Sequence, residues 1–276
     1  MNLVVQGEDV DSVALKNLAK LTGASAIEQI TAQAFRLVAG HDREGVDTLC
    51  AEAGLDWAWV PAGRKLADFG LFVTDMDSTL INIECIDEIA DMQGLKPQVA
   101  AITEAAMRGE IDFRESLTRR VSLLAGLPEA ALAEVYEQRL QVNPGAERLM
   151  RGLKGAGLHT VLVSGGFTYF TERLKARLGF DEAHANELET HHGRLTGRVR
   201  GAIVDGAAKA AHLRHARERL GLKSDQVIAA GDGANDIPML TEAGFAVAYR
   251  AKPVLRTVAD CRLDHVGLDG LLNLFT

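Results

Sequence analysis

The stretch 71-LFVTDMDSTL-80 decides how this chain reads. Leu71, Phe72 and Val73 make an apolar lead, and two carboxylates, Asp75 and Asp77, follow one residue apart before a Ser-Thr pair. Carboxylates are costly at the mouth of a hydrophobic strand. On an extended chain i and i+2 point the same way, so Asp75 and Asp77 share a side and Met76 points elsewhere. Two carboxylates this close repel unless a cation sits between them or one is protonated. A divalent ion with oxygen ligands solves the problem, and Mg²⁺ is the default beside a phosphate. A solvated acidic turn competes with that reading, and the D-x-D pattern alone does not separate the two.

Further along, "HTVLVSGG", "DQVIAAGDGAND" and "GFAVAY" repeat the pattern of apolar runs with helical stretches between them. That is the signature of buried parallel strands in a doubly wound, Rossmann-like α/β sheet. In such sheets ligands bind beyond the carboxyl ends of the strands, so the polar residues that end these runs converge on one crevice. "GDGAND" (231–236) brings Asp232 and Asp236 there. Its G-x-G opening also suits a dinucleotide loop, but Asp236 stands where that fingerprint has its third glycine, and a negative charge there suits a metal better than a pyrophosphate. "VSGGF" (163–167) offers the Ser164 hydroxyl and the backbone N–H groups around Gly165 as an anion site, or is an ordinary strand-to-helix turn. Lys209, near the start of a helical stretch, is either solvated or aimed at a bound phosphate.

Residues 81 to about 157 are too many for a simple crossover. Their helical patterns predict a cap inserted at about 81–145. "NELETHHGRLTGRVRG" predicts a hairpin turning at His192-Gly193. Residues 1–66 read as βαββαβ, a four-stranded antiparallel sheet with two helices on one face. "PAGRKLADFG" (61–70) reads as a linker to the core at 70–276. Asp42 is the expected cap of the second helix. Trp57 and Trp59 are expected to pack this small unit. His191 and His192 are expected on an exposed turn, and His212 and His215 on a surface helix.

The 276 residues are 47% hydrophobic with a net charge of −8, which supplies a core and argues against a nucleic-acid partner. The N-terminus has no basic region before an apolar run, so no signal peptide is expected. No apolar stretch long enough to span a membrane occurs. Cys50, Cys85 and Cys261 are few, odd in number and scattered, which points to a reducing cytoplasm.

Taken in order, D-M-D-S-T-L, V-S-G-G-F, Lys209 and G-D-G-A-N-D resemble the haloacid dehalogenase (HAD) superfamily. "NIECIDEIA", "DFRESLTRRVSLL" and "NPGAERLMRGLKGAG" resemble its phosphoserine phosphatase family. The resemblance covers about residues 70–276. It implies Mg²⁺-dependent hydrolysis of O-phospho-L-serine, the last step of serine biosynthesis, with Asp75 as nucleophile and Asp77 as general acid and base. It implies Mg²⁺ held by the Asp75 carboxylate, the Asp77 carbonyl and Asp232, with Asp236 supporting. Ser164, Gly165 and Lys209 would neutralise the phosphoryl group, and Asn235 would position the substrate. Glu84 would hold the substrate ammonium, Arg120 its carboxylate, and Phe113 and Met107 would form an apolar wall. The N-terminal unit resembles the ACT-like fold, which implies a role in pairing two chains into a homodimer. The same core supports other small phosphorylated substrates, and a catalytically silent amino-acid sensor is the reading from another class.

Overall fold

A computed structural model describes residues 1–275, and the side chain of Met107 lies outside what is described. The chain begins with β1 (Asn2–Gln6), α1 (Ser12–Thr22), β2 (Ala26–Thr31), β3 (Ala34–Val38), α2 (Val46–Glu52) and β4 (Asp56–Val60). Asp11 starts α1 by accepting the Ala14 N–H at 3.2 Å, and Gly23, at φ 64°, ends it. The second helix starts later than the position of Asp42 suggests. Asp42 accepts the Glu44 N–H at 3.0 Å within its own turn, and Gly45, at φ 75°, leads into the helix.

The four strands are antiparallel in the order β2-β3-β1-β4, as their alternating pattern predicts. Leu3, Val5, Leu37 and Trp59 face the two helices, with Trp57 packed against the same cluster. Val4, Ala58 and Val60 point the other way, into the main core of the molecule. This small unit is therefore buried on both faces, which a free-standing one would not be.

The core follows with β5 (Leu71–Thr74), then helices α3 (Cys85–Met92), α4 (Lys96–Met107), α5 (Phe113–Ser122), α6 (Ala130–Gln138) and α7 (Ala146–Gly155). Next come β6 (His159–Phe167), α8 (Thr168–Leu178), β7 (Glu182–His191), β8 (Arg194–Arg200), α9 (Gly206–Arg219) and β9 (Val227–Gly231). The chain closes with α10 (Ile237–Glu242), β10 (Phe245–Tyr249), α11 (Pro253–Arg256), β11 (Cys261–Leu263) and α12 (Gly270–Leu274).

One sheet of eleven strands runs through the molecule in the order β2-β3-β1-β4-β11-β10-β9-β5-β6-β7-β8. From β11 to β7 its strands are parallel, and β8 turns back antiparallel on β7. The turn falls at His192 and Gly193, at φ 51° and 73°, the left-handed pair that a two-residue hairpin requires. Alternate residues of β5 feed two cores: Phe72 enters one, Leu71 and Val73 the other. Burial on both faces explains the unbroken apolar run.

The expected linker at 61–70 is packed. Leu66–Asp68 forms a short 3₁₀ turn, and the Leu66 N–H donates to Phe275 O at 3.1 Å. Phe69 is buried edge-on against Phe275, with ring centres 4.8 Å apart. β4 and β11 join the small unit's sheet to the core's. At that junction the buried Asp56 carboxylate accepts the N–H groups of Asp264, His265 and Val266 at 2.8 to 3.0 Å.

Candidate active site

The strand order reverses at β5, whose neighbours are β6 on one side and β9 on the other. Asp75 and Asp232 follow the last residues of β5 and β9, and Ser164 lies in the last stretch of β6 before Phe167. All three are buried and border a single pocket of about 280 Å³. Met76 is fully buried beneath, which leaves Asp75 and Asp77 on the pocket side. After Asp77 the chain turns sharply through Ser78, at φ 58°. A non-glycine residue there is uncommon and is found where surrounding structure enforces it. The enforcing bonds are local: Thr79, Leu80 and Ile81 all donate to Met76 O, and the Ser78 N–H reaches Ile83 O. Asn143 completes the turn by donating to Thr79 O at 2.8 Å and Ile81 O at 3.0 Å.

Asp75, Asp232 and Asp236 bring carboxylate oxygens within 4.8 Å of one another. Burial and the nearby Asp236 raise the Asp75 carboxyl well above its ordinary range. Burial and Asp236 also push Asp232 up, to about 6. Lys209 lies behind them, with Nζ 2.7 Å from Oδ1 of both Asp75 and Asp236. The Lys209 ammonium donates a hydrogen bond to Asp236 and forms an ion pair with Asp75. Burial pulls the lysine down, but Asp236 and Asp75 outweigh it and hold it above its ordinary value. Lys252 Nζ stands 3.9 Å from Asp232 Oδ2 but is exposed, so three buried carboxylates face a single buried lysine. An all-oxygen donor set with this excess of negative charge fits a hard divalent cation.

Asp236 is fully buried and accepts the N–H groups of Asp232 and Gly233, both at 3.1 Å. It orders the loop of the second acidic motif rather than facing the pocket. Asp232 in turn accepts the Thr79 hydroxyl at 3.2 Å, which ties the two motifs together.

Asp77 accepts the Cys85 N–H at 3.4 Å. Burial and the neighbouring Glu84 push its carboxyl up to about 8. Beside it, the Gly166 backbone approaches so closely that a Cβ there would lie 2.7 Å from Asp77 Oδ2. This end of β6 is held from two sides: the Gly166 N–H donates to Ser164 Oγ at 2.8 Å, and Asn186 donates to Gly165 O at 2.8 Å.

The insertion between β5 and β6 supplies the rest of the wall with Glu84, Asp87, Phe113 and Arg120. Glu84 accepts the Ser78 hydroxyl at 2.9 Å. Arg120 Nε is buried without a partner. Burial lowers its proton affinity, against the opposing charges of Asp87, Glu84 and Asp77. Asn235 and Lys252 border the opening.

The sequence therefore anticipated Asp75, Asp77, Glu84, Arg120, Ser164, Gly165, Asp232 and Asn235 at one pocket, and the structure brings these together. Lys209 and Asp236 sit one layer below, out of the pocket wall. Sequence reasoning missed Asp87, Asn143, Asn186 and Lys252. Asp87 follows Glu84 by three residues, a spacing that could have flagged it as sharing a helix face. The other three act from distant segments and leave no local signal. His212 is half-buried rather than on an open surface, with its ring stacked 4.1 Å from that of His184.

Residues 72–241 match the haloacid dehalogenase-like hydrolases, and the chain belongs to that family. A phosphoserine phosphatase from Polaromonas sp. (strain JS666) is 55% identical over 215 residues, which covers 76% of this chain and 91% of that protein. Kinship of this depth makes the chain a hydrolase enzyme, related to phosphoserine phosphatases. A HAD family hydrolase from Salmonella enterica serovar Typhi superposes with a TM-score of 0.90 at 32% identity, over 99% of this chain and 97% of that one. The small N-terminal unit lies within that match. Residues 3–46 by themselves match a domain of unknown function, DUF4072. A phosphoserine phosphatase solved as its phospho-aspartyl intermediate analogue is 38% identical, with a TM-score of 0.70 over 75% of this chain and 99% of that one.

Proposed function

We propose that this enzyme hydrolyses O-phospho-L-serine to L-serine and phosphate, with Mg²⁺, through an aspartyl-phosphate on Asp75. The observation that carries this is the pocket's mixed lining: strand-end carboxylates and Ser164–Gly166 share one wall with Glu84 and Arg120, which are of opposite charge. A phosphate monoester suits the first set, and an α-amino acid suits the second.

In this reading Asp75 attacks phosphorus, which splits one difficult hydrolysis into two steps. Asp77 begins protonated and gives its proton to the leaving serine oxygen, then takes one from the attacking water. Burial and Glu84 favour that protonated form. Ser164 and the Gly165–Gly166 backbone steady the phosphoryl oxygens, and Lys209 holds the Asp75 carboxylate from behind. Asp75, Asp232 and the Asp77 carbonyl would hold the Mg²⁺, which supplies charge neutralisation at the transferring group. Glu84 takes the substrate ammonium and Arg120 its carboxylate, a planar fork being suited to a bidentate grip. Phe113 closes the apolar side. The relative solved as its phospho-aspartyl intermediate analogue supports the covalent step.

The helices between β5 and β6 then act as the cap that selects the substrate. Residues 1–66 are read as an ACT-like unit and 70–276 as the phosphatase core, with the small unit the candidate surface for a homodimer. A cytoplasmic place at the end of serine biosynthesis fits this activity. The test is phosphate release from L-phosphoserine beside a sugar phosphate, with EDTA and Asp75→Asn controls. Mg²⁺-dependent release that is selective for phosphoserine and lost in Asp75→Asn is the expected result. Release from the sugar phosphate alone would keep the core chemistry and sink the roles of Glu84 and Arg120.

A further inference from the structure

The part of the pocket wall built by α3 and α5 holds a donor and an acceptor with nothing to bond. Asp87 Oδ1 on α3 and Arg120 Nε on α5 are both buried, and neither has a hydrogen-bond partner among the described residues. Both side chains border the same pocket. A buried polar group left unpaired carries its full desolvation penalty, and native structures rarely keep two such groups in one pocket wall without a use for them. These two are of opposite kind: Arg120 Nε can only donate, and an ionised Asp87 can only accept. Asp87 heads the charges that oppose the effect of burial on Arg120. Glu84 is already engaged: its Oε1 accepts the Ser78 hydroxyl, and in the reading above it takes the substrate ammonium.

A guanidinium is a rigid planar fork. Its two Nη groups can grip a carboxylate bidentately while Nε, on another edge, bonds a different acceptor. We propose that Asp87 is a positioning residue for Arg120. Its carboxylate takes the Nε–H as the substrate carboxylate seats on the two Nη groups, and so fixes the plane in which the fork meets the substrate. The proposal rests on the phosphoserine reading above and assigns to that site a residue that lies within a quoted motif without a role of its own. It also makes substrate selection a property of a pair of helices, α3 and α5, rather than of Arg120 alone.

The experiment compares Asp87→Asn with the wild type on two substrates in the same preparations, so that any loss of folded protein cancels in the ratio. The substrates are O-phospho-L-serine and O-phosphoethanolamine, which keeps the ammonium and lacks the carboxylate. For phosphoserine, kcat/KM falls about tenfold or more, mostly through KM, because the lost interaction serves binding. For O-phosphoethanolamine the fall is at least about fivefold smaller, because there is no carboxylate for the fork to meet. In an Arg120→Ala background, Asp87→Asn costs less than about twofold on phosphoserine, since the residue it positions is gone. Equal falls on the two substrates overturn the proposal, as does no fall on phosphoserine. A larger fall on O-phosphoethanolamine overturns it too, and makes Asp87 a ligand of the ammonium. A wild type that ignores phosphoserine while releasing phosphate from other esters refutes the substrate reading instead, and the two failures are distinct.

Discussion

Lys209 Nζ lies 2.7 Å from Asp75 Oδ1, with both side chains buried. Removing one partner of a buried ion pair strands the other, at a cost of about 3–5 kcal/mol. Lys209→Met is therefore expected to melt well below the wild type in metal-free buffer. Mg²⁺ should recover part of that loss, because a cation among Asp75, Asp232 and Asp236 takes over the neutralisation. Thermal melts of both proteins with Mg²⁺ and with EDTA decide this. An equal deficit under the two conditions would show that the lysine's role is unrelated to the acidic cluster.

Metal binding should itself be visible as stability. A ligand at one hundred times its Kd stabilises by about 2.7 kcal/mol, or roughly 5 °C or more for a chain of this size. The wild type should show such a rise on adding Mg²⁺. Asp232→Asn removes one of the three clustered carboxylates and should abolish most of it. Persistence of the full shift in the variant would place the cation elsewhere.

Gly166 is required by close approach. A Cβ there would stand 2.7 Å from Asp77 Oδ2 and 2.8 Å from Met76 Cε. Gly166→Ala must displace the Asp77 carboxylate or the end of β6 that faces it, and, if Asp77 has the role proposed above, misplacement by about 1 Å costs on the order of 10²-fold in rate. The expected change is a fall of that order in kcat in a protein that still folds. Retention of kcat would mean the strand end yields without moving Asp77.

Glu182 sets an acid limb of stability. Burial raises its carboxyl, but bonds from His159, Arg219 and His184 outweigh it and hold it down at about 2, against an ordinary 4.5. A depressed folded-state value means the contribution is complete above the unfolded value and is lost as protons bind the folded carboxylate. Between pH 4.5 and about 2 the wild type should therefore lose stability more steeply than Glu182→Gln. Parallel acid denaturation curves for the two proteins would be evidence against this cluster.

Asp56 ties the small N-terminal unit to the core through three backbone N–H groups of residues 264–266. Asp56→Ala leaves three part-buried donors unpaired, each at a cost of up to about 1–3 kcal/mol. Hydrogen exchange should quicken at 264–266 and in β4 before it does in β5. Uniform quickening across the chain would contradict a local role.

The parallel core was legible because strands buried on both faces carry unbroken apolar runs, and 71–73, 161–163 and 227–231 are such runs. The hairpin turn at His192-Gly193 was legible because its dihedral angles restrict the residues that fit. The acidic motifs were legible because each is local: Asp75 with Asp77, and Asp232 with Asp236, lie within one turn of chain. The packed course of 61–70 was not, because Phe69 meets Phe245 and Phe275 only after the sheet has formed.

By itself, the sequence determined the strand ends, their carboxylates and the helical insertion, since period, turn chemistry and motif spacing are properties of neighbouring residues. Only the tertiary structure decided that the small unit's sheet continues into the core's, that Lys209 backs Asp75 rather than lining the pocket, and that Asp87 faces the pocket with Arg120. Those facts are contacts between segments far apart in the chain. Their energies come from burial, charge and unpaired hydrogen-bonding groups, which exist only once the fold has brought those segments together.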